Sequence, residues 1–468
     1  MKRSALLAAA AVAVIAALTI ARPQHPAGPS LRDFEAYYAA GATWMHGGDP
    51  YSIAIWDVER NLPRVLAQRY EVLPFVGTPA TLPFWAALAH LPYDEAAITW
   101  RAVLFLSLLA LIWLAAPLAN LRRSPATLFA LALAALGFGP VTSALALGQT
   151  ALPVALAILA AYAVSSLPLK GFAAAIACAQ PNLALALAGG LKSLRNAVAI
   201  VLGAIAFAMV SSALAPGGIV RYIRALQEHG QAERFSAIQL TPTAIAYGLG
   251  ASEYTAALTG ILVALGAVSV WLLCARVIRD PLTLFCATSA LVPFAVPFFH
   301  EHDLAIVFVP AAILVLRASP VGLPIALGGA LFSATNWLGL AQSPDAVVQT
   351  ALLVAAFAVA LLVMRTGVTS RALVLVPVMF VMIVLGGFVA RTHGMPVWPD
   401  AMPLGVAHLS NIATVWHAEQ LATGLFARDT MWALLRCASL AGCGLLVYAA
   451  LLSSRSPADS RTSSTVPD

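Results

Sequence analysis

Apolar runs of 15 to 22 residues recur along the whole chain, separated by short stretches that hold most of the Arg, Lys, Gly and Pro. The runs show no period-two alternation, so they predict helices rather than strands. A hydrocarbon core of about 30 Å needs roughly 20 helical residues at 1.5 Å rise, which the longer runs supply. The pattern therefore predicts an all-α fold: a polytopic transmembrane helical bundle forming one domain over residues 1–452. The remainder, 453–468, is rich in Ser, Thr, Pro and Asp and reads as a disordered cytoplasmic tail.

Residues 1–22 begin Met1-Lys2-Arg3 and continue apolar, and Ala21-Arg22-Pro23 is a poor cleavage site, so they read as a retained span. Residues 23–97 form the first extracytoplasmic loop, with interfacial helices expected where the Pro-bounded run 76–91 is too short to cross. Further spans are expected at 98–119, 126–147, 151–169, 196–215, 254–275, 281–298, 304–317, 322–341, 347–364, 372–390 and 430–452. Between them, 170–195 reads as a re-entrant hairpin turning at Gln180-Pro181-Asn182. That path keeps Arg122, Arg123, Arg276, Arg279, Arg317, Arg365, Arg371 and Arg455 on the cytoplasmic side. The expectation is about twelve spans plus the hairpin, with both termini cytoplasmic.

Composition narrows the function. With 61% apolar residues and 10% charged residues, the chain leaves no room for a large soluble catalytic domain. The net charge of +6 sits in clusters between apolar runs, where it sets orientation, so nucleic acid is not an expected partner and membrane lipids are. Cys178, Cys274, Cys286, Cys437 and Cys443 all fall inside apolar segments, without the spacing of a disulfide framework or zinc site. On this topology all nine histidines, and every acidic residue except Asp280, Asp459 and Asp468, face outward.

Four groups could carry chemistry there. The first is Arg32-Asp33-Phe34-Glu35-Ala36-Tyr37-Tyr38, where an interfacial Asp33 could act as general base toward a hydroxyl, or simply start a helix. The second is His300-Glu301-His302-Asp303, a cluster suited to binding a phosphate or an acceptor, with Asp303 alternatively a cap. The third comprises Gln149 of Gly148-Gln149-Thr150, with Gln180 and Asn182 of the polar turn, amides that either glue helices together or line a cavity. The fourth is Arg221, Arg224 and Arg234, placed to meet an anionic group or anionic lipid.

In order along the chain, Asp33-Phe-x-x-Tyr37-x-Ala, Gly48-Asp49-Pro50-Tyr51, an interfacial segment ending Leu91-Pro92, the Gly148-Gln149 pair, the Gln180-Pro181-Asn182 turn and the His-rich outer turn resemble glycosyltransferase family 87. The resemblance runs from about 30 to 320, and the remainder to 468 adds only generic spans. It departs at Gly77-Thr78-Pro79, where the family commonly has Tyr-Pro-Pro, and at Gln180, where it commonly has Lys.

The resemblance implies a type C glycosyltransferase architecture in the inner (plasma) membrane. It implies transfer of a mannose-like or arabinofuranose-like sugar from a polyprenyl-phosphate donor to a lipid or glycan hydroxyl at the outer face. Asp33 would be the base. Donor and acceptor would be held by Arg32, Tyr37, Gln149, Gln180, Asn182, Arg221, Arg224, His300, His302 and Asp303. No cofactor beyond the donor is implied, no metal ligands are assigned, and no paired Asp motif near Asp33 speaks for a divalent ion. The other readings are a transporter or flippase of lipid-linked sugar and a catalytically inactive accessory membrane protein.

Overall fold

A computed structural model describes residues 3–20, 31–63, 65, 71–343, 345–396 and 411–454. Residues 455–468 of the expected tail, and 23–30, 64 and 66–70 of the first loop, lie outside the described residues. The described chain is helical, with no strand. Seven helices are long and apolar enough to cross a bilayer: Arg3–Ile20, Tyr93–Leu118, Leu194–Leu214, Glu253–Val277, Ala346–Met364, Ser370–Thr392 and Thr430–Ser453. All seven coincide with expected spans.

The expected count of twelve exceeds this, and the reason is local. Pro125–Gly137 and Gly139–Leu147 make an eighth candidate only as a pair bent by 75°. Ala151–Ala163, Pro281–Ala295 and Leu323–Ala334 have 13, 15 and 12 residues. Each is shorter than the roughly 20 residues a straight crossing needs. The 301–317 segment is divided between a 3-10 helix, Glu301–Val307, and an α-helix, Phe308–Arg317. Apolar composition marks these segments as membrane-like, whereas the Gly, Pro and Asn positions that end the helices set their lengths.

The chain doubles back between 167 and 194. A Cβ on Gly203 would lie 2.1 Å from the Gly171 oxygen and 3.2 Å from the Ala175 nitrogen, and one on Gly171 would lie 3.1 Å from the Ala199 oxygen. Residues 171 and 175 thus pair with 199 and 203 in the same order, so Leu167–Ala177 and Leu194–Leu214 run parallel in near backbone contact. Between them the chain turns at Gln180-Pro181-Asn182 and returns through Pro181–Ala184 and the 3-10 helix Leu185–Gly190.

One end of the bundle is basic. Lys170 Nζ donates to the Ala161 oxygen at 2.7 Å, Lys192 Nζ to the Ile278 oxygen at 2.7 Å, and Arg365 to the oxygens of Val315 and Leu316 at 2.7 and 3.0 Å. Each of these carbonyls lies in the last turn of a helix or at its cap, where unpaired oxygens and the negative end of the dipole favour a cation. Arg317 pairs with Asp280 at the same end, at 3.4 Å. The opposite end gathers Asp33, Glu71, Glu233 and the histidines at 229 and 300, and there the helices enclose a cavity of about 2030 Å³.

Candidate active site

The helix Arg32–Met45 sets the first wall. It starts from Leu31, held at φ 65° and ψ 74°, a left-handed conformation that costs a non-glycine residue about 1–3 kcal/mol. Aromatic packing fixes that start. Phe34 is fully buried between Trp85, Tyr93 and Trp100 at ring separations of 6.4, 5.7 and 6.1 Å, and Tyr37 stacks on Trp85 at 4.7 Å. Trp100 Nε1 donates to the Gly148 oxygen at 2.7 Å. Gly148 ends the Gly139–Leu147 helix at φ 81°, a turn glycine makes without strain, and the next residue, Gln149, is directed toward Asp33.

Gln149 Nε2 donates to Asp33 Oδ2 at 2.6 Å, and the Tyr37 hydroxyl donates to Gln149 Oε1 at 2.8 Å. Arg32 reaches the other Asp33 oxygen at 3.4 Å and also pairs with Glu71. The Asp33 side chain is 17% exposed and lines the cavity. Burial pushes its carboxyl above the usual Asp range, against the pull of Arg32, the Gln149 hydrogen bond and His300, with Glu71 adding to the rise.

The facing wall is the turn after Pro281–Ala295. Gln239 Oε1 accepts from the Phe299 amide at 2.9 Å, and Leu240 N donates to the Phe299 oxygen at 2.7 Å, clamping the turn to the outer loop. His300 Nε2 lies 2.7 Å from Glu233 Oε1, while Glu233 Oε2 meets His229 Nε2 at 3.1 Å and accepts from Trp416 Nε1 at 3.2 Å. Burial draws His300 toward neutrality, but Glu233, Asp303 and Asp33 outweigh it and its pKa is raised. Burial would raise Glu233, yet His300 and His229 hold it far below the usual carboxylate range. A part-buried imidazole–carboxylate pair that favours the protonated ring thus stands across the cavity from Asp33. Asp303 accepts from the His300 amide at 2.9 Å and so does cap the turn, its own carboxyl raised by burial to about 6. Glu301 is buried too, and desolvation lifts it to about 8.

One ring nitrogen each from His300 and His302 and an oxygen of Asp303 lie within 4.8 Å of one another, a trio that could hold a cation. Of these atoms, His300 Nε2 is already engaged by Glu233 at 2.7 Å.

The cavity brings together Arg32, Asp33, Tyr37, Gln149, Gln180 and Asn182 with His300, His302 and Asp303. Asn182 Nδ2 donates to the Phe298 oxygen at 3.4 Å, and Gln180 Oε1 is buried without a hydrogen-bond partner. Arg221 and Arg224 stand apart. Arg221 pairs with Asp49 at 3.1 Å and donates to the Tyr51 oxygen, whereas Arg224 is exposed; of the three loop arginines, Arg234 lines the cavity. Sequence reasoning missed Glu233, although His229 and Glu233 form an i, i+4 pair on the amphipathic helix Ile219–Glu233. It also missed Glu71, for which no local pattern gives a sign; Gln239, noted beyond the loop arginines, holds the turn through the Phe299 amide.

Comparison with known proteins gives one match: residues 75–298 fit the family model of glycosyltransferase family 87. That region holds Gln149, Gln180, Asn182 and Glu233, while His300 lies two residues past its end and Asp33 lies 42 residues before its start. No curated protein and no solved structure matches the chain.

Proposed function

We propose that this chain, which belongs to glycosyltransferase family 87, transfers a sugar from a polyprenyl-phosphate carrier to a hydroxyl of a lipid or glycan at the outer face of the plasma membrane. The observation that carries the reading is the opposition, in one large cavity, of Asp33, a part-buried carboxyl with a raised pKa, and His300, a part-buried imidazole whose protonated form Glu233 favours. In the reaction the acceptor oxygen bonds to the anomeric carbon and loses its proton to Asp33. The bond from that carbon to the phosphate oxygen breaks, and the polyprenyl phosphate leaves with the electron pair. A single displacement inverts the anomeric centre. His300 and Arg32 face the charge that develops on the leaving phosphate, where fixed positive groups in a water-poor site act most strongly.

Orientation follows from charge. Lys170, Lys192, Arg317 and Arg365 gather at one end and the carboxylates and histidines at the other, and the positive-inside tendency supports reading the basic end and both termini as cytoplasmic. A mannose-like or arabinofuranose-like sugar is the donor cargo that the family resemblance suggests. Gln180 in place of a lysine leaves the phosphate to be met by Arg32 and His300. The test is transfer by purified protein in liposomes from radiolabelled polyprenyl-phosphate mannose and polyprenyl-phosphate arabinofuranose to a membrane lipid extract. Labelled product from either donor supports the reading; none from both, with donor binding intact, rejects it in favour of carrier transport.

A further inference from the structure

At the edge of the cavity, two arginines rest on aromatic rings instead of on carboxylates. The Arg234 guanidinium carbon lies 5.6 Å over the Phe235 ring, Phe235 stands 4.8 Å from Tyr247, and the Arg428 guanidinium carbon lies 4.4 Å over Tyr247. The Ala237 amide donates to the Leu425 oxygen at 2.8 Å, which ties the loop carrying Arg428 to the loop carrying Arg234. Among the described residues neither guanidinium makes an ion pair or a hydrogen bond. The acids next to them in sequence are engaged elsewhere: Glu233 meets His300, His229 and Trp416, and Asp429 Oδ1 accepts from the Met431 and Trp432 amides. Arg428 directly precedes the span Thr430–Ser453, and Tyr247 precedes the span Glu253–Val277. Leu249, Tyr254 and Met431, around the starts of those spans, are exposed.

We infer that Arg234 and Arg428, backed by Phe235 and Tyr247, bind the headgroup phosphate of an anionic phospholipid. A ring takes the flat face of a guanidinium and leaves its N–H edge free, and that edge is the one that grips a phosphate through two parallel hydrogen bonds. Level with the ends of two spans, beside exposed apolar and aromatic side chains, the pair stands where headgroups lie. Two cations without a carboxylate partner favour a headgroup of net negative charge over a zwitterionic one, whose own ammonium group already offsets its phosphate. The position also argues for a bulk lipid over the sugar carrier. Of the four residues only Arg234 reaches the cavity lining, whereas Arg32 and His300 stand inside it. A lipid held there would staple the loop before the last span to the loop after the helix Ile219–Glu233, which carries Glu233. The inference holds whether or not the chain transfers sugar.

The experiment is photo-crosslinking of the full chain in phosphatidylcholine nanodiscs that carry a small share of phosphatidylglycerol with a diazirine beside its headgroup. Peptide mapping should find saturable labelling at 247–254 and 428–431, displaced by unlabelled phosphatidylglycerol. The Arg234→Gln/Arg428→Gln double variant should weaken that labelling about tenfold, the effect expected of lost charge-assisted hydrogen bonds. Arg224→Gln/Arg391→Gln removes the same charge from two other exposed arginines and should leave the labelling as in the wild type. Labelling spread evenly over the lipid-facing helices, or labelling that the Arg234/Arg428 double variant keeps, overturns the site. Displacement by undecaprenyl phosphate at a lower concentration than by phosphatidylglycerol gives the rim to the carrier and overturns it as well. The spread and the displacement are both read on the wild type, so the test stands without any variant.

Discussion

Gln149 holds Asp33 across 116 residues of sequence through a hydrogen bond of 2.6 Å, and its own orientation is fixed by the Tyr37 hydroxyl at 2.8 Å. The amide stabilises the ionised carboxylate in a place where burial favours the acid. Gln149→Glu replaces that donor with a like charge, which raises the Asp33 pKa further. The acidic limb of kcat/KM against pH should move up by about one unit or more, because more alkaline solution is then needed to ionise the base. An unmoved limb would mean that Asp33 does not govern the profile.

Glu233 controls the opposite limb. It raises the His300 pKa above the ordinary imidazole value, so the protonated form needed to face a phosphate persists as pH rises and is lost only above that raised value. Glu233→Gln removes the carboxylate while leaving the desolvation that lowers His300. The alkaline limb should therefore shift to lower pH, with donor KM rising at neutral pH. The same pair links to stability in two directions. The His300 contribution is complete below the unfolded imidazole pKa and fades as pH rises through the raised folded value. The Glu233 contribution is present above the unfolded carboxylate pKa and fades as pH falls toward the depressed folded one. Thermal melts of the wild type should decline on both sides of neutrality, and Glu233→Gln should flatten both slopes.

The turn at Gln180-Pro181-Asn182 fixes a topology that labelling can read. Because Leu167–Ala177 and Leu194–Leu214 run parallel, Ser193 lies at the end where Lys170 and Lys192 cap helix carbonyls. In a variant freed of its five cysteines, Ser193→Cys should react with a membrane-impermeant maleimide only after the membrane is opened. Labelling of intact cells would invert the orientation of the basic end.

Much of the candidate site was legible because its members sit in dense local clusters. Asp33 stands in an acidic–aromatic run, His300 and His302 share one outer turn, and Gln149 follows a glycine. What escaped depends on pairings made far along the chain. Glu233 meets His300 across 67 residues, which no local pattern encodes, and Arg221 was drawn to Asp49 across 172. Span counting from hydropathy gives more segments than there are described helices long enough to cross, for a related reason. Hydropathy sees apolar composition, whereas the break at Phe138 comes from Gly137, Gly139 and Pro140 acting together.

The account turns on Asp33 as the base. Asp33→Asn preserves shape and a hydrogen-bond acceptor for Gln149 but cannot take up a proton, so turnover of purified protein with a radiolabelled polyprenyl-phosphate sugar should fall by about 10²–10⁴-fold. Undecaprenyl phosphate should bind to it as to the wild type, since the phosphate is met by His300 and Arg32. Asparagine starts a helix nearly as well as aspartate, so a purely structural Asp33 would leave activity intact. A drop of that size with carrier binding preserved is the predicted result, and wild-type turnover in Asp33→Asn would contradict the account.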